Sequence, residues 1–407
     1  MNRRWAYQWV QILSHHHRIA FLWVGSLGLL GGLGMVQSST PLQMADIGLI
    51  GLALLLMSLM GAKLMDSVKA GLLLLGGSLA VFGLVLGLAG WLQQPMNTTS
   101  VLGWVLLLAL TMSNLIHILS ALLREMARGA FQHDALAEAL QMNVMPIFLS
   151  NLTTALGLWV AALYDPDWTS AAWIVLLGAA VSYALMLTAL PLLLLRWFLE
   201  FRVGHYQDRH GFRALADWLQ QHPFQVRVLL ALSVLALAFS FAYLWPRLDG
   251  LYAIGWMLLS SFAVLLVFWQ DVKITFMTLG SSLVAIILVV AGFFLVQQTK
   301  MISAVVLVVP LGIVLDDAIH YFSRYLKSKR GYFNDSESCH RYALASVGKP
   351  IWATTLILMC GLLVLNFSSN ILVQQAAFVA LFSILLASYV TLVLWPALSL
   401  QSTKASR

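Results

Sequence analysis

Two adjacent carboxylates stand in the middle of an apolar run. The segment VLVVPLGIVLDDAIHYFSRYLKSKR (306–330) starts with ten uncharged residues, and Asp316 and Asp317 follow them. If this run crosses a membrane as a helix, Asp316 lies roughly 12 Å inside Arg324, too deep for its side chain to reach the surface. Acids at such depth usually face a bundle interior or a water path and have a function. A carboxyl group there can take up a proton from one side and release it to the other.

His320 is the nearest sequence partner of this pair, because it follows Asp316 by four residues and Asp317 by three. On a helix it therefore lies one turn nearer the basic patch, on the same face. Thr354 and Thr355 occupy a similar depth in the next apolar run. We predict a proton relay of Asp316, Asp317 and His320, in which the two threonine hydroxyls donate hydrogen bonds to the carboxylates.

An earlier segment of the chain has the same pattern without the acids. SNLIHILS at 113–120 matches DDAIHYFS at 316–323, so Ser113 and Asn114 replace the aspartates and His117 is retained. These three residues are predicted to be supporting polar groups. The sequence thus indicates one proton site, in the second half of the chain.

Other interpretations of these groups stay open. The two acids can be purely structural, held neutral by interhelical hydrogen bonds. The two histidines can orient their neighbours, and no spacing of Cys, His and carboxylate residues typical of a metal site is present. We predict no cofactor, and neither a nucleophile–base set nor a phosphate-binding loop indicates an enzyme. Four further polar residues of the fifth apolar run can face the site or bond only to their own helix: Ser150, Asn151, Thr153 and Thr154.

The composition is that of a membrane protein. Of 407 residues, 61% are hydrophobic and only 10% are charged, whereas soluble domains are nearer a quarter charged. A spanning helix needs roughly 20 apolar residues, and backbone polar groups cannot be left unpaired in lipid, so the apolar runs must be helices. The chain is therefore predicted to be an all-α, polytopic membrane protein with twelve transmembrane helices. The twelve runs are approximately 19–37, 46–62, 70–92, 100–122, 145–163, 170–195, 225–244, 250–268, 274–296, 301–323, 350–366 and 374–398.

The positions of the basic residues predict the orientation. With a cytoplasmic N-terminus, all of the 23 Lys and Arg residues except Arg247 and Lys300 lie on the inner side, as the positive-inside rule requires. Both termini are then cytoplasmic, and the predicted location is the bacterial inner (cytoplasmic) membrane. Since topology accounts for the net charge of +7, a nucleic-acid partner is not predicted.

The chain repeats itself with a nearly constant offset. VKAGLLLLGGSLAVFGLVLGLAGWLQQ at 68–94 matches VKITFMTLGSSLVAIILVVAGFFLVQQ at 272–298, an offset of 204 residues. We predict two repeats, 1–204 and 205–407, with six spans each. Because six is even, both have the same orientation, as in parallel-repeat transporters. The small residues at 76–77 and 280–281 are predicted to permit close helix packing.

Three polar segments are predicted to lie at the cytoplasmic surface. The linker 200–224 contains a short amphipathic helix at FRALADWLQQH. HDALAEALQM has a helical apolar stripe, and NDSESCHRYALASVG begins with Asn334 and Glu337 in capping-box spacing. The last two segments are predicted to lie on the inner membrane surface, with plain connecting helices as the alternative.

GIVLDDAIHYFSRY, followed by VGKPIWATTLILMCGLLVL, resembles the resistance–nodulation–division (RND) superfamily, and more closely its MMPL and hopanoid-exporter-like branch. That family has an acidic pair and a following Ile-His in the tenth span and a Thr-Thr pair in the eleventh. The resemblance implies a proton-driven exporter of lipids or other amphiphiles. It also implies proton transfer at Asp316 and supporting places for Asp317 and Thr354.

One departure from that family concerns the periplasmic side. Family members carry large domains after the first and seventh spans, where this chain has only VQSSTPLQMA and WPRLDGL. The chain is then a natural minimal member, a membrane subunit completed by a separate periplasmic protein, or a truncated form.

The function predicted first is proton-coupled export of a hydrophobic or amphiphilic, lipid-like substrate. The alternative is a non-transporting, lipid-sensing or scaffold membrane module. The partners expected are membrane lipids, the hydrophobic small-molecule or lipid substrate, a periplasmic carrier or adaptor protein, and further copies of the chain in a homo-oligomer.

Overall fold

Helices make up almost all of the computed structural model, which describes residues 5–36, 44–94, 96–196, 210–244, 251–297 and 304–398. No strand occurs within these ranges. The helices are α1 (Trp5–His15), α2 (His17–Val36), α3 (Met44–Leu64), α4 (Val68–Trp91), α5 (Ser100–Ala127), α6 (Gln132–Tyr164), α7 (Thr169–Leu187), α8 (Ala189–Arg196), α9 (Arg213–Gln221), α10 (Pro223–Leu244), α11 (Leu251–Trp269), α12 (Val272–Gln297), α13 (Ala304–Gly331), α14 (Ser336–Leu365) and α15 (Ile371–Tyr389).

Twelve of the described helical stretches are long and apolar enough to cross a membrane, which confirms the predicted number of spans. The sixth span consists of α7 and α8, which meet at Thr188, and the twelfth continues from α15 through a π-helical turn at Val390–Leu394. The predicted linker helix is present as α9. The rest of the linker up to residue 209, Arg247 and Lys300 lie outside the described residues.

The two segments predicted to lie on the inner membrane surface are the first parts of long helices that continue into spans, which is closer to the alternative of connecting helices. HDALAEALQM is the first part of α6, and NDSESCHRYALASVG runs directly into the spanning part of α14. Pro146 and Pro350 lie inside these helices without ending them. The reason is packing: Ala135, Leu136 and Leu140 are fully buried in the bundle, so their apolar stripe faces other helices instead of lipid. α14 is capped by Asp335, which accepts the N–H of Ser338 at 2.7 Å, and not by Asn334.

The bundle has a buried centre and an exposed periphery. α5 and α13 are buried along nearly their whole length, whereas α2 and α10 expose most of their residues. α13 packs most extensively against α6, and α5 packs against α14, α6 and α7. The polar groups of α5 and α13 therefore face protein instead of the surroundings.

The backbones of α6 and α13 come very close at one crossing. A Cβ on Gly157 would lie 3.2 Å from Cα of Gly312, and a Cβ on Gly312 would lie 3.0 Å from the carbonyl oxygen of Thr153. The Thr154 hydroxyl donates to the Gly312 carbonyl at 3.3 Å. Small residues permit this approach, which places the acid-bearing turn of α13 against α6.

One end of the bundle collects the basic residues and the short helices α1 and α9. α9 packs on α14, where Arg341 pairs with Asp217 at 2.7 Å. In the loop between α11 and α12, Asp271 accepts the N–H of Ile274 at 3.1 Å and pairs with Lys329 at 3.2 Å. Partial burial acts to raise the pKa of Asp271, but these two partners together hold it below the ordinary value.

Candidate functional site

Asp316 lies at the junction of three helices. Its carboxylate accepts the hydroxyl of Ser113 from α5 at 3.0 Å and the hydroxyl of Ser150 from α6. On its own helix, Nε2 of His320 lies 3.4 Å from Oδ1, one turn further along. Side chains from both predicted repeats thus converge on one carboxylate, whose side chain is 15% exposed.

Asp317 points to the neighbouring helices α14 and α15. Oδ2 accepts a hydrogen bond from Ser388 and another from Thr355 at 3.2 Å, and the two hydroxyls lie 2.6 Å apart. Adjacent positions on a helix point about 100° apart, so the two acids have separate hydrogen-bond partners. Asp317 is buried, and all of its polar partners belong to the second predicted repeat.

Asn114 has an equivalent set of contacts in the first half of the chain. Its Nδ2 donates to Oδ1 of Asn151 in α6 at 3.1 Å and to Oγ of Ser182 in α7 at 3.3 Å. Asn151 in turn donates to the carbonyl of Ala179 at 3.3 Å. This cluster contains no acid, and its two amide side chains donate to groups of α6 and α7.

The two histidines lie face to face between α5 and α13. The rings of His117 and His320 are stacked, with centroids 3.5 Å apart and planes inclined by 6°. Both are fully buried, and neither ring makes a hydrogen bond with any described residue, since the approach of His320 to Asp316 lacks hydrogen-bond geometry. Unpaired imidazoles in such a position can accept or donate a proton after a small ring rotation.

A buried arginine lies between the histidines and the basic end. Arg324 donates to Oδ1 of Asn143 at 2.7 Å, and Asn143 also donates to the backbone carbonyl of His117 at 3.2 Å. Arg324 is only 2% exposed. Polar groups thus follow one another from Asp316 past the two histidines to Arg324, with Asn143 bonded to the backbone of His117 and not to its ring.

A small cavity of about 20 Å³ adjoins Asp316 on its other side. Its apolar lining comes from α5, α13 and α14, and its polar lining comes from Ser113, Asn114, Ser150, Thr154 and Asp316. A polar cavity of this size holds about one water molecule. The acid therefore has room for a water that can carry a proton to it.

The structure brings most of the predicted site residues together. Ser113 and His320 lie at Asp316, and Thr355 lies at Asp317. Asn114 belongs to the adjoining polar cluster, and His117 stacks on His320. Thr354 does not reach either carboxylate, because its hydroxyl donates to the carbonyl of Ile351 in its own helix at 2.9 Å.

Two contributors were not assigned to the site from the sequence. The sequence leaves open whether Ser150 faces the site or bonds only to its own helix, and the structure places it at Asp316; Ser388, at Asp317, is outside the predicted set. Ser388 lies in SYVTLVLW (388–395), which matches SYALMLTA (182–189) around Ser182; that match is a signal that could have identified it. Within the described part of the chain, no group of three or more His, Cys, Asp or Glu side chains could hold a metal ion.

No protein-family model and no curated protein matches the sequence. Among solved structures, SecDF in a super-membrane-facing form matches with a TM-score of 0.68 and 14% identity, over 89% of this chain and 62% of that chain. SecDF of Thermus thermophilus, a translocon-associated membrane protein, matches with a TM-score of 0.66 and 15% identity over the same shares. These two matches show that the chain shares the multi-span fold of SecDF. The chain spans less than two thirds of the SecDF chain.

Proposed function

We propose that this protein is a proton-coupled secondary transporter that exports a hydrophobic or amphiphilic, lipid-like substrate from the bacterial inner membrane, as in the MMPL-like branch. The observation that carries the proposal is the position of Asp316. It is an acid inside a twelve-span bundle, held by hydroxyls from two helices of the other predicted repeat. The SecDF-like fold supports a membrane module driven by the proton-motive force.

Proton uptake at Asp316 changes the contacts between helices. In the ionised form the carboxylate accepts the hydroxyls of Ser113 and Ser150. A neutral carboxyl group itself supplies a donor, so one of these hydroxyls must turn away or become an acceptor. The proton therefore changes how α13 is held against α5 and α6. That change is the step that would couple proton entry to movement of the helices.

The route of the proton follows the polar groups on either side of Asp316. In the orientation that the positive-inside rule favours, the small cavity lies on the periplasmic side of the acid and the stacked histidines on the cytoplasmic side. A proton enters at the cavity, binds Asp316 and leaves through His320. Movement of one charge through the membrane supplies about 2.3 kcal/mol per 100 mV of potential.

The test is proton flux into proteoliposomes with an imposed pH gradient, in the presence and absence of an inner-membrane lipid extract. Asp316→Asn keeps the size of the side chain but replaces the titratable carboxyl group by an amide. It should therefore abolish substrate-dependent flux, while insertion and melting temperature stay near wild type. Asp134→Asn, at an exposed acid at the start of α6, is the matched control. Wild-type flux in Asp316→Asn would rule out the proposed role.

Two other functions are a membrane subunit that is completed by a separate periplasmic protein and a lipid-sensing scaffold. Both are favoured by the short connections 37–43 and 245–250, which leave no room for a substrate-binding domain. A subunit would show proton flux only after a periplasmic partner is added. A scaffold would show none under either condition, and its Asp316→Asn variant would behave as wild type in cells.

A further inference from the structure

An apolar cleft opens on the outside of the bundle between α2, α4 and α8. Its volume is about 400 Å³, and its floor is formed by α5. Gly28 and Gly32 of α2 and Gly76 of α4 line it, and a Cβ at any of the three would meet no atom within 4 Å. Of the pair 76–77 predicted to permit close helix packing, Gly77 does so, because a Cβ there would lie 3.0 Å from Leu115 Cδ1. Gly76, like Gly28 and Gly32, instead leaves a space unfilled.

The dimensions of the cleft suit one acyl chain. Its lining on α2 extends from Val24 to Met35, about 17 Å at 1.5 Å per residue. The hydrocarbon core of a bilayer is about 30 Å thick, so the cleft is about as long as one leaflet is deep. Its lining is almost entirely aliphatic, with Thr111 as a polar exception whose hydroxyl already donates to the Leu107 carbonyl at 2.9 Å.

Positive charge stands at the end of the cleft nearest the basic end of the bundle. Arg196 follows the cleft residue Leu193 by one turn of α8, and its guanidinium lies 5.3 Å from the centroid of the Phe21 ring on α2. Arg18 is one turn before Phe21, and the two arginines line the same surface hollow. Both are exposed, and neither forms an ion pair with a described acid. An apolar space about as long as an acyl chain, with two exposed cations near one of its ends, matches an anionic lipid.

The corresponding place in the second half of the chain is filled. The segment SYVTLVLW ends in Trp395 where SYALMLTA ends in Ala189, a residue of the cleft. The Trp395 indole donates to Ser281 at 2.6 Å and lies 3.8 Å from a Cβ on Gly280, the counterpart of Gly76. The open cleft is thus specific to the first half and is not a general property of the fold.

One helix separates the cleft from the acid. Thr111 and Leu115 of α5 face the cleft, whereas Ser113 and Asn114 face the small cavity at Asp316. A ligand in the cleft therefore contacts the same helix turn that donates to the carboxylate.

We propose that this cleft binds an anionic lipid of the surrounding leaflet, with one acyl chain between α2, α4 and α8 and the headgroup at Arg18 and Arg196. Binding does not depend on proton coupling. That the bound lipid is the cargo rests on the function proposed above.

The experiment uses the full chain in nanodiscs that contain phosphatidylglycerol or phosphatidylcholine with a photoreactive group on one acyl chain. Crosslinks are mapped by peptide mass spectrometry. We expect crosslinks from phosphatidylglycerol on α2, α4 and α8. Gly28→Leu and Gly76→Leu should each lower them about tenfold, because the new side chain occupies the space of the acyl chain. Gly51→Leu on α3, at an exposed glycine whose Cβ also meets nothing, is the matched control and should leave them unchanged.

Arg18→Gln and Arg196→Gln should each lower the preference for phosphatidylglycerol over phosphatidylcholine about fivefold, because one cation near the headgroup is lost. Arg227→Gln, at an exposed arginine near the start of α10, should leave this preference unchanged.

Equal crosslinking in Gly28→Leu and Gly51→Leu, equal labelling by both lipids, or a second copy of the chain in the cleft would each overturn the proposal. Asp316→Asn should keep the crosslinks, so that failure of lipid binding and failure of proton coupling are seen separately.

Discussion

Two polar clusters in the bundle have the same plan and different chemistry. In the first half, Asn114 contacts Asn151 and Ser182. In the second half, Asp317 contacts Thr355 and Ser388. The three pairs of positions are 203, 204 and 206 residues apart, close to the spacing of the predicted repeat.

The difference between the clusters is in the groups that can change their hydrogen bonds. An amide keeps separate donor and acceptor atoms whatever the pH, so the contacts of Asn114 do not depend on a proton. A carboxyl group and two hydroxyls have several arrangements, and which one is occupied depends on whether a proton is present. Both titratable acids, Asp316 and Asp317, belong to the second half, and the first half contributes the hydroxyls of Ser113 and Ser150 that Asp316 accepts.

Exchanging the residues at 113 and 316 is the strongest test of this difference. Asp316→Ser alone should lower transport by at least about 100-fold, because no proton-transferring group is left at that position. The double variant Ser113→Asp/Asp316→Ser restores an acid at the same junction, but Ser150 and His320 stay directed at position 316. We expect transport at least about tenfold below wild type. It would be measured in proteoliposomes, and wild-type rates in the double variant would show that the two halves are interchangeable.

Asn114→Asp gives the first half the chemistry of the second. An ionised carboxylate cannot donate to Asn151 Oδ1, and it leaves a buried, unpaired charge. The expected loss in the free energy of unfolding is about 3 kcal/mol, to be measured by denaturation in mixed micelles. Asn366→Asp, near the end of α14 and partly exposed, is the control. If Asn114→Asp is as stable as wild type, the neutral cluster does not hold the helices as described.

Trp395→Ala removes the side chain that fills, in the second half, the place that corresponds to the open cleft of the first half. Trp395 is half-buried, so its removal should lower the free energy of unfolding by about 2 kcal/mol, less than for a fully buried Trp. It should also create crosslinks from the photoreactive phosphatidylglycerol on α12. Trp256→Ala, at an exposed Trp of α11, should do neither. An unchanged crosslink map in Trp395→Ala would mean that the indole is not what closes that side.

Asp271→Ser, which gives a second-half position the residue of its first-half counterpart, should have the smallest effect. Ser67 caps α4 by accepting the N–H of Ala70 at 3.2 Å, and Asp271 does the same for Ile274 at the start of α12. The variant keeps the cap and loses the ion pair with the half-exposed Lys329, which should cost less than about 1 kcal/mol. Because the pKa of Asp271 is held below its ordinary value, the wild-type advantage is complete above about pH 4 and is lost as pH falls further. Melting temperatures at pH 3 and pH 7 would measure it; an advantage larger at pH 3 would contradict the ion pair.

The spans and the acidic pair could be predicted from the sequence because each depends on local composition. Length and hydropathy are enough to find twelve helices, and the depth of Asp316 follows from its distance to Arg324. The i+4 relation of His320 to Asp316 is likewise a property of one helix. These features hold whatever the neighbouring helices do.

The remaining contacts depend on how each helix is rotated about its axis. Thr354 and Thr355 are adjacent and equal in type, yet only Thr355 faces Asp317, because consecutive residues point about 100° apart. The part of α6 that precedes Pro146 is predicted from the sequence to lie on the membrane surface, because the packing of α1 against α6 is a tertiary contact that the sequence does not show. The stack of His117 on His320 joins residues 203 positions apart, and no single-helix rule predicts it.

The close crossing of Gly157 and Gly312 is a point about which α13 can pivot on α6. Asp316 is four residues beyond it, about 6 Å, whereas the basic end of the helix at Gly331 is 19 residues beyond it, about 28 Å. For a rigid helix pivoting at that point, a shift of the acid is magnified nearly fivefold at the far end. If α13 moves as a rigid rod about this crossing, the small displacement that accompanies a change in the hydrogen bonds of Asp316 becomes a several-fold larger displacement at the basic end.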